Sequence, residues 1–85
     1  MLTTGFSVQG SSLRLLHVGE RGVIKQIRTL HDATAQNLRK MGLMPGQTIT
    51  LEERFPRFII RVGTQRHTLD EMMINAVYVR VVKPY

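Results

Sequence analysis

The sequence predicts a mostly β fold: a small barrel of five short strands with one short α-helix. Three observations predict it. Apolar residues alternate with polar ones in several short runs. Turns built on glycine or proline separate those runs. One early segment alone carries apolar residues at helical spacing.

The elements follow in order. Residues Met1 to Ser12 hold two glycines and three serines around an isolated Phe6 and Val8, and read as a flexible leader (1–12) ahead of one domain (13–85). Leu13, Leu15 and Leu16 lead into a turn bracketed by Gly19 and Gly22, and a strand follows over Val23 to Arg28. Ile24 and Ile27 are three apart rather than two, so either the strand carries a bulge between them or one isoleucine leaves the core face. A helix is expected over Ala33 to Met41. Asp32 is read as its N-cap, Ala35, Leu38 and Met41 as its buried stripe, and Gly42 as the positive-φ residue at its exit. Met44-Pro45-Gly46 follows with the chemistry of a type II turn, proline presetting φ and glycine accepting a positive one.

The second strand spans Gln47 to Arg54, with Ile49 and Leu51 inward. Phe55-Pro56-Arg57 connects it to a third strand, Phe58 to Val62, and Gly63-Thr64-Gln65 turns the chain into a brief fourth, Arg66 to Leu69. Asp70 to Asn75 is read as a single helical turn or loop capped by Asp70. The last strand, Ala76 to Val82, buries Val77, Val79 and Val81. Short strands in this order, with the helix in an early connection, define a partly open barrel of SH3-like type.

Composition narrows the function. The chain has 85 residues, room for one domain, and a domain of that size has a thin core. It has no cysteine, which removes thiolate metal sites and thiol nucleophiles. No apolar run approaches the roughly 20 residues of a spanning helix, and the N-terminus lacks the pattern of a signal peptide, so a cytoplasmic protein without membrane insertion is expected. His17, His31 and His67 are well separated, and Glu52-Glu53 and Asp70-Glu71 are adjacent pairs that strands would splay, so no metal site is expected. Nothing resembles a nucleophile elbow or a phosphate-binding glycine loop, so neither catalysis nor a cofactor is expected.

The formal net charge of +6 favours an acidic partner. Arg54, Arg57, Arg61 and Arg66 fall in one segment without an intervening acid, and strand alternation turns Arg61 outward. Leu43 and Met44, beside the proline turn, would add an apolar anchor. The candidate binding residues are therefore Leu43, Met44, Arg54, Arg57 and Arg61. Nucleic acid is the less favoured partner, because aromatics make up only 6% of the chain and tryptophan is absent.

A family resemblance rests on particular residues. Leu13, Leu16, Gly19 and Gly22 precede Ile24 and Ile27. Leu38 leads into Met41-Gly42-Leu43-Met44-Pro45-Gly46. Val62, Gly63 and Leu69 come before Ala76, Val79 and Val81. This pattern resembles the FeoA family, although Met41 stands where a leucine is usual and Val79 where an isoleucine is usual. The resemblance implies an SH3-like accessory protein that binds the cytoplasmic part of a FeoB-type membrane iron transporter. The same module is also found fused behind repressors of the DtxR type, and with no winged helix here a stand-alone protein is expected. The alternative kept open is a basic SH3-like barrel that binds RNA or the ribosome.

Overall fold

The computed structural model describes residues 10–82. Its order is β1 (Ser11–Ser12), a 3-10 turn (Leu13–Leu15), β2 (Arg21–Ile27), α1 (Asp32–Lys40), β3 (Thr48–Glu53), β4 (Phe58–Val62), β5 (Gln65–Leu69), α2 (Glu71–Ala76) and β6 (Val77–Val82). All strand pairs are antiparallel, in one six-stranded sheet ordered β1-β6-β2-β3-β4-β5. The expected five strands become six because Ser11 and Ser12, read as the end of a leader, pair with Val79 and Tyr78. Two serines carry no apolar alternation, so the strand had no signal of its own. The remainder of the leader, residues 1–9, and the terminal Lys83-Pro84-Tyr85 lie outside the described residues.

The sheet curls without closing. β1 and β5 are its hydrogen-bonding edges, and α2 lies against both of them and against the 3-10 turn. The helix packs into the gap between those edges, while Gln65, Arg66 and Thr68 of β5 remain exposed. Inside, Leu13, Leu16, Ile24, Leu38, Ile49, Leu51, Ile60, Val77 and Val79 are fully buried. Phe58, Met73 and Ile74 complete one continuous core. The alternation expected of β3, β4 and β6 is present, with Val81 only partly buried.

β2 shows how the two isoleucines at odd spacing are accommodated. Its register against β6 shifts between Ile24 and Gln26, so Lys25 is an extra residue and Ile27 returns toward the core side. β2 pairs with β3 only over Arg21 to Val23. Beyond that point the proline turn takes over: Gly46 donates its N–H to the Ile24 carbonyl at 2.8 Å, and Ile24 donates to the Gln47 carbonyl at 2.8 Å.

The helix needs one correction. The residue at the N-cap of α1 is His31, and Asp32 is the first helical residue, making no cap bond. The Thr29 hydroxyl accepts the His31 N–H at 3.0 Å and fixes the entry there, while Asp32 places its charge in the first turn, where the helix dipole favours it. At the other end Met41 is the C-cap, Gly42 has φ +84°, and Leu43 donates its N–H to the Leu38 carbonyl at 3.0 Å. The expected single helix becomes two, because the stretch read as a helical turn or loop forms α2, with Ala76 ending it rather than opening the last strand. Its cap is as expected, Asp70 accepting the Met73 N–H at 2.9 Å. The turn at Pro45 is also as expected, with Gly46 at φ +98° and Gln47 donating to the Met44 carbonyl at 3.1 Å.

A Cβ at Gly42 would meet no atom within 4 Å, so a side chain there costs backbone strain and nothing else. Gly42→Val is expected to destabilise the domain by about 1–3 kcal/mol, while Gly42→Asn, tolerated in the left-handed region, loses much less. Thermal melts of the two variants check this. A valine variant melting within a degree or two of wild type contradicts the role given to the helix exit.

Candidate functional site

The five candidate binding residues do not form one site. Leu43 and Met44 precede β3, and Arg54 and Arg57 follow it. Its six residues, at about 3.3 Å each, hold the two groups roughly 20 Å apart. Arg61 lies between them on β4, opposite Thr50.

The Met44 end is the apolar one. Leu43 is not part-exposed: it is 1% exposed, drawn under the helix exit by its bond to Leu38. Met44, at 48%, remains accessible. With Ile27, Thr29, Ala35, Arg39 and Pro45 these residues line an open groove of about 290 Å³ between α1 and the proline turn. Arg28 and Thr29 also border a depression beside Leu30 and Tyr78, and another beside Met72 and Asn75. Thr29 lies on all three, so the β2–α1 loop stands in the middle of one continuous surface. Leu30 at its tip is 99% exposed, with part-exposed Met44 and Met72 on the neighbouring depressions. Cations border this surface at Arg28 and Arg39. Sequence reading missed Leu30, because a single leucine next to a helix start carries no periodic signal.

The arginine end is more differentiated than the sequence suggests. Arg54 is tied into the fold: one guanidinium nitrogen donates to the Arg14 carbonyl at 2.9 Å and also to the Leu16 carbonyl. Its guanidinium carbon lies 5.9 Å from the centre of the Phe58 ring. Arg61 and Arg66 both bind Glu52, each at 2.8 Å. The segment lacks an internal acid, but the sheet supplies one from the next strand. The β3–β4 register shift leaves Glu52 as an extra residue, the bulged position from which it reaches both arginines. Arg57 makes no ion pair or hydrogen bond among the described residues. Arg14 pairs with Glu71 and donates to Asn75 at 2.9 Å.

Arg14, Arg54, Arg57 and Glu71 rim a second groove of about 380 Å³, floored by Phe58, Leu69 and Ile74. Phe55 stands beside it, 88% exposed, in the connection that contains the cis Phe55–Pro56 bond. Elsewhere, His17 contacts Glu20 at 3.2 Å, His31 sits at the start of α1, and His67 has its Nε2 buried without a partner. Among the described residues no three histidine, aspartate or glutamate side chains converge. No helix among them is long and apolar enough to cross a membrane.

A small antiparallel β domain of SH3-like type, with shallow open grooves, is the class that fold and surface define. Residues 11–81 match the model of the FeoA domain. A protein of Leptolyngbya boryana named as an Fe(2+) transport protein A is 43% identical over 79 residues, covering 92% of this chain and 96% of that one. The crystal structure of an iron uptake regulatory protein, FeoA, superposes with a TM-score of 0.75 at 32% identity, over 85% of this chain and 96% of the other. FeoA of Stenotrophomonas maltophilia, solved with zinc and described as a prokaryotic SH3 domain protein, superposes with a TM-score of 0.70 at 26% identity, over 79% and 86% of the two chains. The chain belongs to the FeoA family, accessory proteins of ferrous-iron transport.

The two arginines that flank Phe55 should separate in stability. Arg54→Ala frees the Arg14 and Leu16 carbonyls and removes the cation over Phe58. It is expected to cost about 1–2 kcal/mol, as losing a partner at a part-buried acceptor does. Arg57→Ala should leave the melting temperature unchanged. Urea unfolding of both variants checks the contrast, and equal midpoints would refute it.

Proposed function

We propose that this protein serves ferrous-iron transport in the cytoplasm by docking on the cytoplasmic part of a FeoB-type membrane transporter. Family membership supports the setting. The observation that carries the docking role is the surface around the β2–α1 loop, where Leu30 is wholly exposed and Met44 and Met72 are half-exposed. A thin-cored domain gains no stability from leucine and methionine side chains held in water. Such side chains serve when a partner covers them. Methionine adapts to an irregular partner surface, and Arg28 and Arg39 at the border supply charge that speeds encounter with an acidic face. The shallow surface and scattered ionisable groups suit a binding protein rather than an enzyme.

Of the arginines, Arg57 and Arg61 act in this reading through the long-range field rather than by contact at the apolar surface. Docking should therefore weaken as salt rises, mainly through the association rate.

The test uses Leu30→Ser with Met44→Gln, both exposed enough to leave the melt unaltered. Binding to the purified cytoplasmic domains of the transporter should weaken about tenfold or more, a loss of roughly 1.4 kcal/mol per tenfold. An RNA oligomer is assayed beside it. Undiminished binding by the double variant removes this surface from the proposal, and wild-type protein that holds RNA but not the transporter defeats the docking role itself.

A further inference from the structure

The sheet ends at β5, and that edge is built for pairing. β5 (Gln65–Leu69) bonds to β4 on one side only. The two-residue loop Gly63-Thr64, with Gly63 at φ +62°, joins the pair Val62 and Gln65. Two-residue hairpin loops close on a hydrogen-bonded pair, and the ladder alternates from there. The backbone N–H and C=O of Arg66 and Thr68 consequently point away from β4, off the edge. No proline or bulge interrupts β5, and its register with β4 is unbroken over all five residues.

The surroundings select a partner. Arg61 and Arg66 share the single carboxylate of Glu52, which leaves one positive charge uncompensated on the face beside the edge. Where β5 ends, Thr68 and Leu69 enter the groove that holds Arg54 and Arg57, the latter without a partner among the described residues, over the apolar floor of Phe58 and Ile74. Free backbone groups, a net positive border and an apolar slot in line with the strand together describe a receptor for one kind of ligand.

We infer that the β5 edge takes an extended acidic peptide segment as an added strand, with an apolar side chain of that segment seated in the groove at Leu69. Backbone bonds to Arg66 and Thr68 give this mode its affinity, and the charges and the groove give it selectivity. Charge on an edge strand also prevents pairing between copies of the same protein. Two copies meeting edge to edge would bring the Arg66 of each chain near the other, with Arg61 one strand behind, so the same charges that repel a second copy attract an acidic strand. Pairing at β5 is independent of the surface around Leu30 and of whichever protein carries the segment.

The probe is a labelled eight-residue peptide of alternating valine and glutamate, titrated into the isotope-labelled protein and followed by NMR. Exchange of the Arg66 and Thr68 amides should slow at least tenfold at saturation, with shifts spreading to Leu69 and Arg57. Three comparisons accompany it. The same peptide N-methylated at alternate residues should lose binding at least tenfold without any change to the protein. A valine–lysine peptide should not bind. Thr68→Pro, which removes an N–H that faces away from β4 and suits an edge position, should weaken binding while retaining the native spectrum. The proposal is overturned if the N-methylated or the lysine peptide binds as well as the first, or if no amide of β5 responds at millimolar peptide. It is equally overturned if an oligouridylate claims this face while the acidic peptide does not, or if β5 amides become protected by self-association alone.

Discussion

The parting of β2 from β3 after Val23 is the constraint on which the rest of the structure depends. Over Arg21 to Val23 the strand is held on both sides, by β3 and by β6. Gly22 sits where a Cβ would lie 3.1 Å from the Cβ of Val79, so the absence of a side chain lets the strands pack this closely. From Ile24 onward β2 follows β6 alone, and the extra residue at Lys25 sets the new course. The vacated ladder positions at Ile24 are taken by Gly46 and Gln47, which brings the proline turn against β2. α1, which joins β2 to β3 in the chain, packs against α2, and the groove lined by Ile27, Ala35, Arg39 and Pro45 lies beside it. The exposed loop at Leu30 and the helix exit at Gly42 are both consequences of that divergence.

A domain this small has few core residues to divert, and its buried and exposed apolar side chains are different residues. Leu38 and Leu43 are buried in the core, while Leu30 and Met44 are exposed on adjoining depressions that share Ile27 and Thr29. The same separation holds among the arginines. Arg54 organises the 3-10 turn through the carbonyls of Arg14 and Leu16, and Arg57, three residues on, has no partner among the described residues. Exposed charge of this kind contributes little to stability and acts mainly on encounter. Two faces at opposite ends of β3 thus differ in character: one apolar with a cationic border, the other cationic with an apolar floor.

Much of the fold was legible because alternation and turn chemistry are local. Phe58–Val62 falls on the residues read from its pattern, Asp70 caps α2, and Pro45-Gly46 makes the expected turn. The odd spacing of Ile24 and Ile27 left a bulge or a departure from the core open, and the register shift settles it as a bulge. What sequence could not show depends on contacts distant along the chain. Ser11–Ser12 becomes a strand only because β6 offers an edge. Thr34, polar in pattern, is buried one helical turn before Leu38. Leu43, read as an apolar anchor beside the proline turn, is core, because the helix exit folds it inward. The candidate binding cluster was least legible: a run of arginines is close in sequence, but β3 separates it from Met44, and Glu52 neutralises part of it across the sheet.

The most direct test of the account is a hydrogen-exchange footprint of the protein with and without the transporter's cytoplasmic domains. The β2–α1 loop at 28–31 and the proline turn at 43–46 should become protected together, since the divergence of β2 places them on one surface. Protection of neither segment, in a complex shown to form, would contradict the account.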